Sequence, residues 1–106
     1  MKKNFNEVIK KSVELRKKYH ELEKEYHGSE WTLEEDVIAY LSDSALVGRL
    51  IMDRKGRWPA DTSKRQLEHK LAENIWWILT IADRLNINIE EEVENFFEYT
   101  DKKIND

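Results

Sequence analysis

Asp43 and Glu73 are the two acids whose surroundings invite chemistry. Asp43 stands among Ala39, Leu46, Val47 and Leu50, in a stretch with little polar surface. An acid there is costly unless it is paired or metal-bound. An ion pair to Lys70 or Arg49 and a cation site are both open readings. Glu73 shares a helical strip with Gln66, His69 and Thr80, beside Trp77. From the residues alone that strip reads as a solvated face. His69 and Glu73, four apart, can share a metal or make a plain helix-surface contact. Trp76 and Trp77 offer rings for stacking on a base or for packing in a core or dimer. Neighbouring residues on a helix point about 100° apart, so at most one of the two faces a given pocket. Arg54, Lys55 and Arg57, with Lys64 and Arg65 across a loop, form a basic cluster suited to phosphate or simply solvated.

Much other chemistry is excluded by composition. The 106 residues include no cysteine, which removes disulfides, thiolate zinc sites and cysteine nucleophiles together. A di-iron bundle needs Glu-x-x-His pairs, but the residues three before His20, His27 and His69 are Lys17, Lys24 and Gln66. There is no Gly-rich phosphate loop and no nucleophile–base triad. The net charge of −4 speaks against nucleic-acid backbones, which recruit basic surfaces. Nothing near Met1 reads as a targeting signal and no apolar run approaches bilayer length, so a cytoplasmic location is the default expectation.

The elements that must position these residues are helices. Asn4 and Glu7 form a capping box ahead of a helix from about Phe5 to Tyr26, with Phe5, Val8, Ile9, Val13, Leu22 and Tyr26 at helical spacing. Thr32 and Glu35 form another and open a helix to about Asp53. Val37, Leu41, Ala45, Gly48 and Met52 make one of its apolar faces, with Leu46, Val47 and Leu50 on others. After a break containing Gly56 and Pro59, Ser63 and Gln66 offer a cap for a helix to about Leu85. Its expected core stripe is Leu67, Leu71, Ile75, Ile78, Ala82 and Leu85, widened by Trp76, Trp77, Leu79 and Ile81. Asn88 and Glu91 cap a short last helix with Ile89, Val93, Phe96 and Phe97, and a polar tail starts at about Asp101.

The stretch from His69 to Glu91, with its Lys70-Leu71-Ala72-Glu73 start and its Ala82-Asp83-Arg84-Leu85 corner running into Ile87-Asn88-Ile89-Glu90-Glu91, resembles the MazG-like all-α nucleoside triphosphate pyrophosphohydrolases. In that family an E-L-A-D helix start leads to an A-D-R-L-G-I-D-L-E-E sequence. The resemblance is close over about a quarter of the chain. It implies two acidic pairs, E-x-x-E on one helix and E-x-x-D on the next, each on one helical face and together holding magnesium for attack on a triphosphate. Aligned so, Asp43 keeps the first acid and Glu73 the fourth, whereas Leu46 and Lys70 replace the other two. The site then carries a charge of about −1 in place of about −4, which weakens the attraction for a divalent ion.

The expected fold is therefore one all-α domain over residues 1–106, a four-helix MazG-like bundle completed by dimerisation. Its expected function is nucleotide binding, with pyrophosphohydrolase activity weakened or lost. Asp43 and Glu73 would be the metal positions for weakly or nucleotide-dependently bound magnesium. Lys70, Arg54 and Arg57 would contact phosphate, and Trp77 would wall the pocket. The alternative is a non-catalytic helical protein that retains the fold for association or regulation.

Overall fold

A computed structural model describes residues 2–58 and 66–105. These form four helices, α1 (Phe5–His27), α2 (Leu33–Arg54), α3 (Gln66–Arg84) and α4 (Ile89–Asn105), and no strand among the described residues. Both leading capping boxes are in place: the Asn4 and Thr32 side chains accept from the N–H groups of Glu7 and Glu35, which reach back in turn. Asn88 accepts from the Glu91 N–H at 3.1 Å and starts α4. Gly28 stops α1 in the left-handed region at φ 84°, a conformation that costs glycine little. Asn86 takes φ 57° at the corner between α3 and α4, as asparagine tolerates. The cap expected at Ser63 lies outside the described residues. Residues 101–105 are the last turn of α4 and not a tail, with Lys102 and Lys103 placed favourably at its carboxyl end.

Helix α3 is the hub. It packs most extensively against α2, less against α1 and only slightly against α4. No helix is long and apolar enough to cross a membrane among the described residues.

The faces turned inward match the apolar stripes expected from the sequence only in part. In α3, Trp77, Leu79 and Ala82 are buried as expected, together with Thr80, whereas Leu71, Ile75, Ile78 and, just past the helix end, Leu85 are exposed, Ile75 by 56%. In α1, Leu22 and Tyr26 point outward, and Ser12, Arg16 and Glu23 are the buried residues. Leu41 and Met52 of α2 are exposed as well, whereas Asp36 is fully buried at 0%. The reason is visible in the register. Arg16 and Glu23 are seven apart on α1, as are Asp36 and Asp43 on α2. On α3, Glu73, Trp77, Thr80 and Arg84 follow at helical spacing. These mostly polar stripes face one another because their charges pair (below), and that alignment turns the richer apolar stripes outward.

The single chain is consequently open. Its accessible surface is 8477 Å², against about 6,300 Å² for a folded monomer of this mass. Its radius of gyration is 16.7 Å, against about 13 Å for a compact chain of this length.

Candidate functional site

Two polar clusters lie between the helices, the first joining α2 and α3 and the second joining α1, α2 and α3. The first contains the sequence candidates. Lys70 Nζ donates to Glu73 Oε1 at 2.9 Å and to Asp43 Oδ1 at 3.3 Å, so the two acids converge on one ammonium group. The other oxygen of Asp43 accepts from the Trp77 indole N–H at 2.8 Å. Asn74 holds the backbone beneath, donating to the Lys70 carbonyl at 2.8 Å and to the Asp43 carbonyl at 3.4 Å. Hydrogen bonding to Glu73 raises the Lys70 pKa; burial opposes this, and the Asp43 bond adds to the rise. Lys70 therefore stays charged at any physiological pH.

The second cluster was missed by sequence reasoning. Arg16, only 4% exposed, donates to Glu23 Oε2 at 2.7 Å and to Asp36 Oδ1 at 2.6 Å. Arg84 donates to the other Asp36 oxygen at 2.8 Å, tying all three helices to one carboxylate. Burial is the largest influence on Arg16 and works against its charge. The bonds from Asp36 and Glu23 outweigh it and raise the pKa overall. For Glu23, burial likewise pushes upward, but the Arg16 bond, the Trp31 N–H and His20 bring its carboxyl below the usual range.

This network holds an aromatic wall. The Trp31 N–H donates to Glu23 Oε1 at 2.8 Å, and the Trp31 carbonyl accepts from Arg84 at 2.9 Å. The Arg16 guanidinium lies 5.8 Å from the Trp31 ring centroid and 5.3 Å from that of Trp77, within cation–π reach of both. Trp76 is fixed by its N–H on the Ser12 carbonyl at 3.0 Å. Between these rings, Tyr19 and Tyr26 opens a cavity of about 360 Å³, lined also by Arg16, Glu23 and Glu73. Trp76 and Trp77 both line it, contrary to the one-ring expectation. Their centroids are 4.8 Å apart at a 51° tilt, because an indole is long enough to lean back across the helix surface.

The remaining candidates are placed differently. Arg54 pairs with Glu68 at 2.7 Å on the exposed surface, and Arg57 lies exposed in the turn after α2. Neither lines the cavity. Lys64 and Arg65 are outside the described residues. His69 stands 3.8 Å from Glu73, but its own side chain is largely exposed. No group of three or more His, Cys, Asp or Glu among the described residues is arranged to hold a metal. Asp43 and Glu73 do not fit a resident divalent ion as they stand, because an ammonium group already lies between them and the second Asp43 oxygen is taken by Trp77. Lys70, expected to contact phosphate directly, is held by these internal carboxylates.

No family model, curated protein or solved structure matches the chain.

Proposed function

We propose that the chain is a nucleotide-binding protein related to the MazG-like pyrophosphohydrolases, in which hydrolysis of a triphosphate to monophosphate and pyrophosphate is weakened or lost. The observation that carries this reading is the convergence of Asp43 and Glu73 on Lys70 beside the cavity walled by Trp76 and Trp77. The cavity volume of about 360 Å³ suits a small ligand, and its indole rings offer faces for a base. Lys70 replaces ionic attraction that a metal would otherwise supply, and it can exchange a carboxylate for a phosphate oxygen. Magnesium enters only with the phosphates that carry it. Pyrophosphate release from a panel of NTPs and dNTPs, with magnesium or manganese, tests the reading. Slow turnover abolished by Asp43→Ala or Glu73→Ala supports residual catalysis. Nucleotide-induced thermal stabilisation without turnover supports binding alone.

A second reading, association without catalysis, is favoured by the surface the single chain leaves bare. The excess of about 2,200 Å² over a folded monomer matches what one subunit buries in a large obligate interface. The outward stripe Leu71, Ile75 and Ile78 of α3, continued by Leu85 just past its end, supplies its apolar part. The occupant on this reading is a second copy of the chain, and a homodimer is compatible with either function. Absence of both turnover and nucleotide-induced stabilisation would leave association as the role.

A further inference from the structure

Helix α4 has the least to hold it. None of its residues is buried, and its packing on α3 is slight. It is nevertheless amphipathic. Ile89, Val93, Phe96, Phe97 and Ile104, with Thr100 among them, fall within about 100° of arc on a helix that turns about 100° per residue. Phe96 and Phe97 are 62% and 56% exposed, with ring centroids 6.0 Å apart. The chain by itself therefore leaves an apolar stripe about 25 Å long uncovered.

Two properties of the stripe select what covers it. The first is symmetry about its midpoint: counted outward from the Phe96–Phe97 step, Val93 matches Thr100 and Ile89 matches Ile104. The second is charge. Glu90, Glu91 and Glu92 stand in the first turn of α4, and Lys102 and Lys103 in the last. A parallel copy of the helix would set acids beside acids. An antiparallel copy sets them beside the lysines, with the positive end of each helix dipole next to the negative end of the other. Anionic lipid is a poor cover, because α4 holds six acids against two lysines.

We infer that α4 pairs antiparallel with α4 of a second copy, around a two-fold axis passing between Phe96 and Phe97. Phe96 then meets the partner's Phe97, Val93 the partner's Thr100 and Ile89 the partner's Ile104. The inference rests on the association reading and adds helix, direction and register to it; α4 extends the interface proposed for α3 and does not replace it. Glu92 and Lys103 lie on one flank of the stripe, so the two-fold axis sets each against the other twice. Glu90 and Asp101 crowd the opposite flank with acid. Charge thus fixes the direction of the pair, and the apolar stripe supplies its strength.

Sedimentation equilibrium over a range of subunit concentrations, with circular dichroism to follow helix content, tests the pairing. Phe96→Glu with Phe97→Glu alters no buried residue and should raise the dimer dissociation constant at least about a hundredfold with helix content kept. Glu92→Lys and Lys103→Glu should each raise it about three- to tenfold. Both reversals in one chain should return it to within about threefold of the original. An unchanged constant for the phenylalanine variant, or charge reversals whose effects add instead of cancelling, overturns the α4 pairing; a dimer that still forms in those chains leaves association standing. An unsubstituted chain that is monomeric at every concentration overturns both.

Discussion

Replacing Asp36 by alanine tests whether the charged centre holds the fold together. Asp36 is fully buried and accepts from Arg16 at 2.6 Å and from Arg84 at 2.8 Å. Its removal strands part of a guanidinium that is 4% exposed and cannot turn to water. Breaking a buried pair in this way costs about 3–5 kcal/mol, a large share of the 5–15 kcal/mol or so that a domain possesses. For a domain near this size even the lower figure lowers Tm by more than about 10 °C. Urea and thermal unfolding followed by circular dichroism, at one fixed subunit concentration, measure the loss. Glu14→Ala is the control, since its pairs to Lys11 at 3.4 Å and Lys18 at 3.5 Å lie on the surface, and it should leave the midpoint in place. A loss below about 1 kcal/mol for Asp36→Ala, the level of an exposed pair, would refute the claim that this carboxylate joins the three helices.

Three further outcomes are expected. Ile75→Glu with Ile78→Glu, both on the exposed stripe of α3, should convert the proposed dimer to monomer by sedimentation velocity while leaving the proposed nucleotide binding in place; an unchanged mass at the same concentration would exclude that stripe as the interface. The lowered Glu23 pKa makes its contribution to stability complete above the ordinary carboxylate value of about 4.3; the contribution disappears as the pH falls through the lower folded value. Urea midpoints should therefore fall on acidification, and Glu23→Gln should flatten that limb. Leu46→Glu with Lys70→Glu sets acids at the two positions where the proposed MazG-like pattern would have them, and calorimetry should then detect tighter magnesium binding; unchanged affinity would break the proposed alignment of α2 and α3 with that pattern.

The helix order and most helix ends were legible because capping is local chemistry: Asn4 with Glu7, Thr32 with Glu35 and Asn88 each declare themselves within a few residues. The pairing of Asp43 with Lys70 was one of two readings that the apolar setting of Asp43 allowed, and the convergence of Glu73 on the same group follows from its place three residues along α3. What could be read only in part was which stripe of each helix faces inward: Trp77, Leu79 and Ala82 were expected inside, but Ser12, Arg16, Glu23 and Asp36 were not. Helices α2 and α3 carry apolar residues on more than one side, so periodicity alone leaves their rotation open. The deciding contacts, Arg16 with Asp36 and Arg84 with Asp36, span 20 and 48 residues of sequence. A faint signal existed in the seven-residue spacing of Arg16 and Glu23 on the face of Ser12. Alone, charges at that spacing read as solvated.

A centre built from ions responds to temperature differently from one built of oil. Among the described residues only Leu50, Trp77, Leu79 and Ala82 are buried apolar side chains. Little of the chain's internal cohesion therefore fades on cooling, as hydrophobic burial does. The desolvation cost of the Arg16, Glu23, Asp36 and Arg84 cluster declines on warming. With modest apolar exposure on unfolding, the heat-capacity increment of one subunit is small and its stability curve broad. Warmth should loosen the chain less, and cold harm it less, than its small size would suggest.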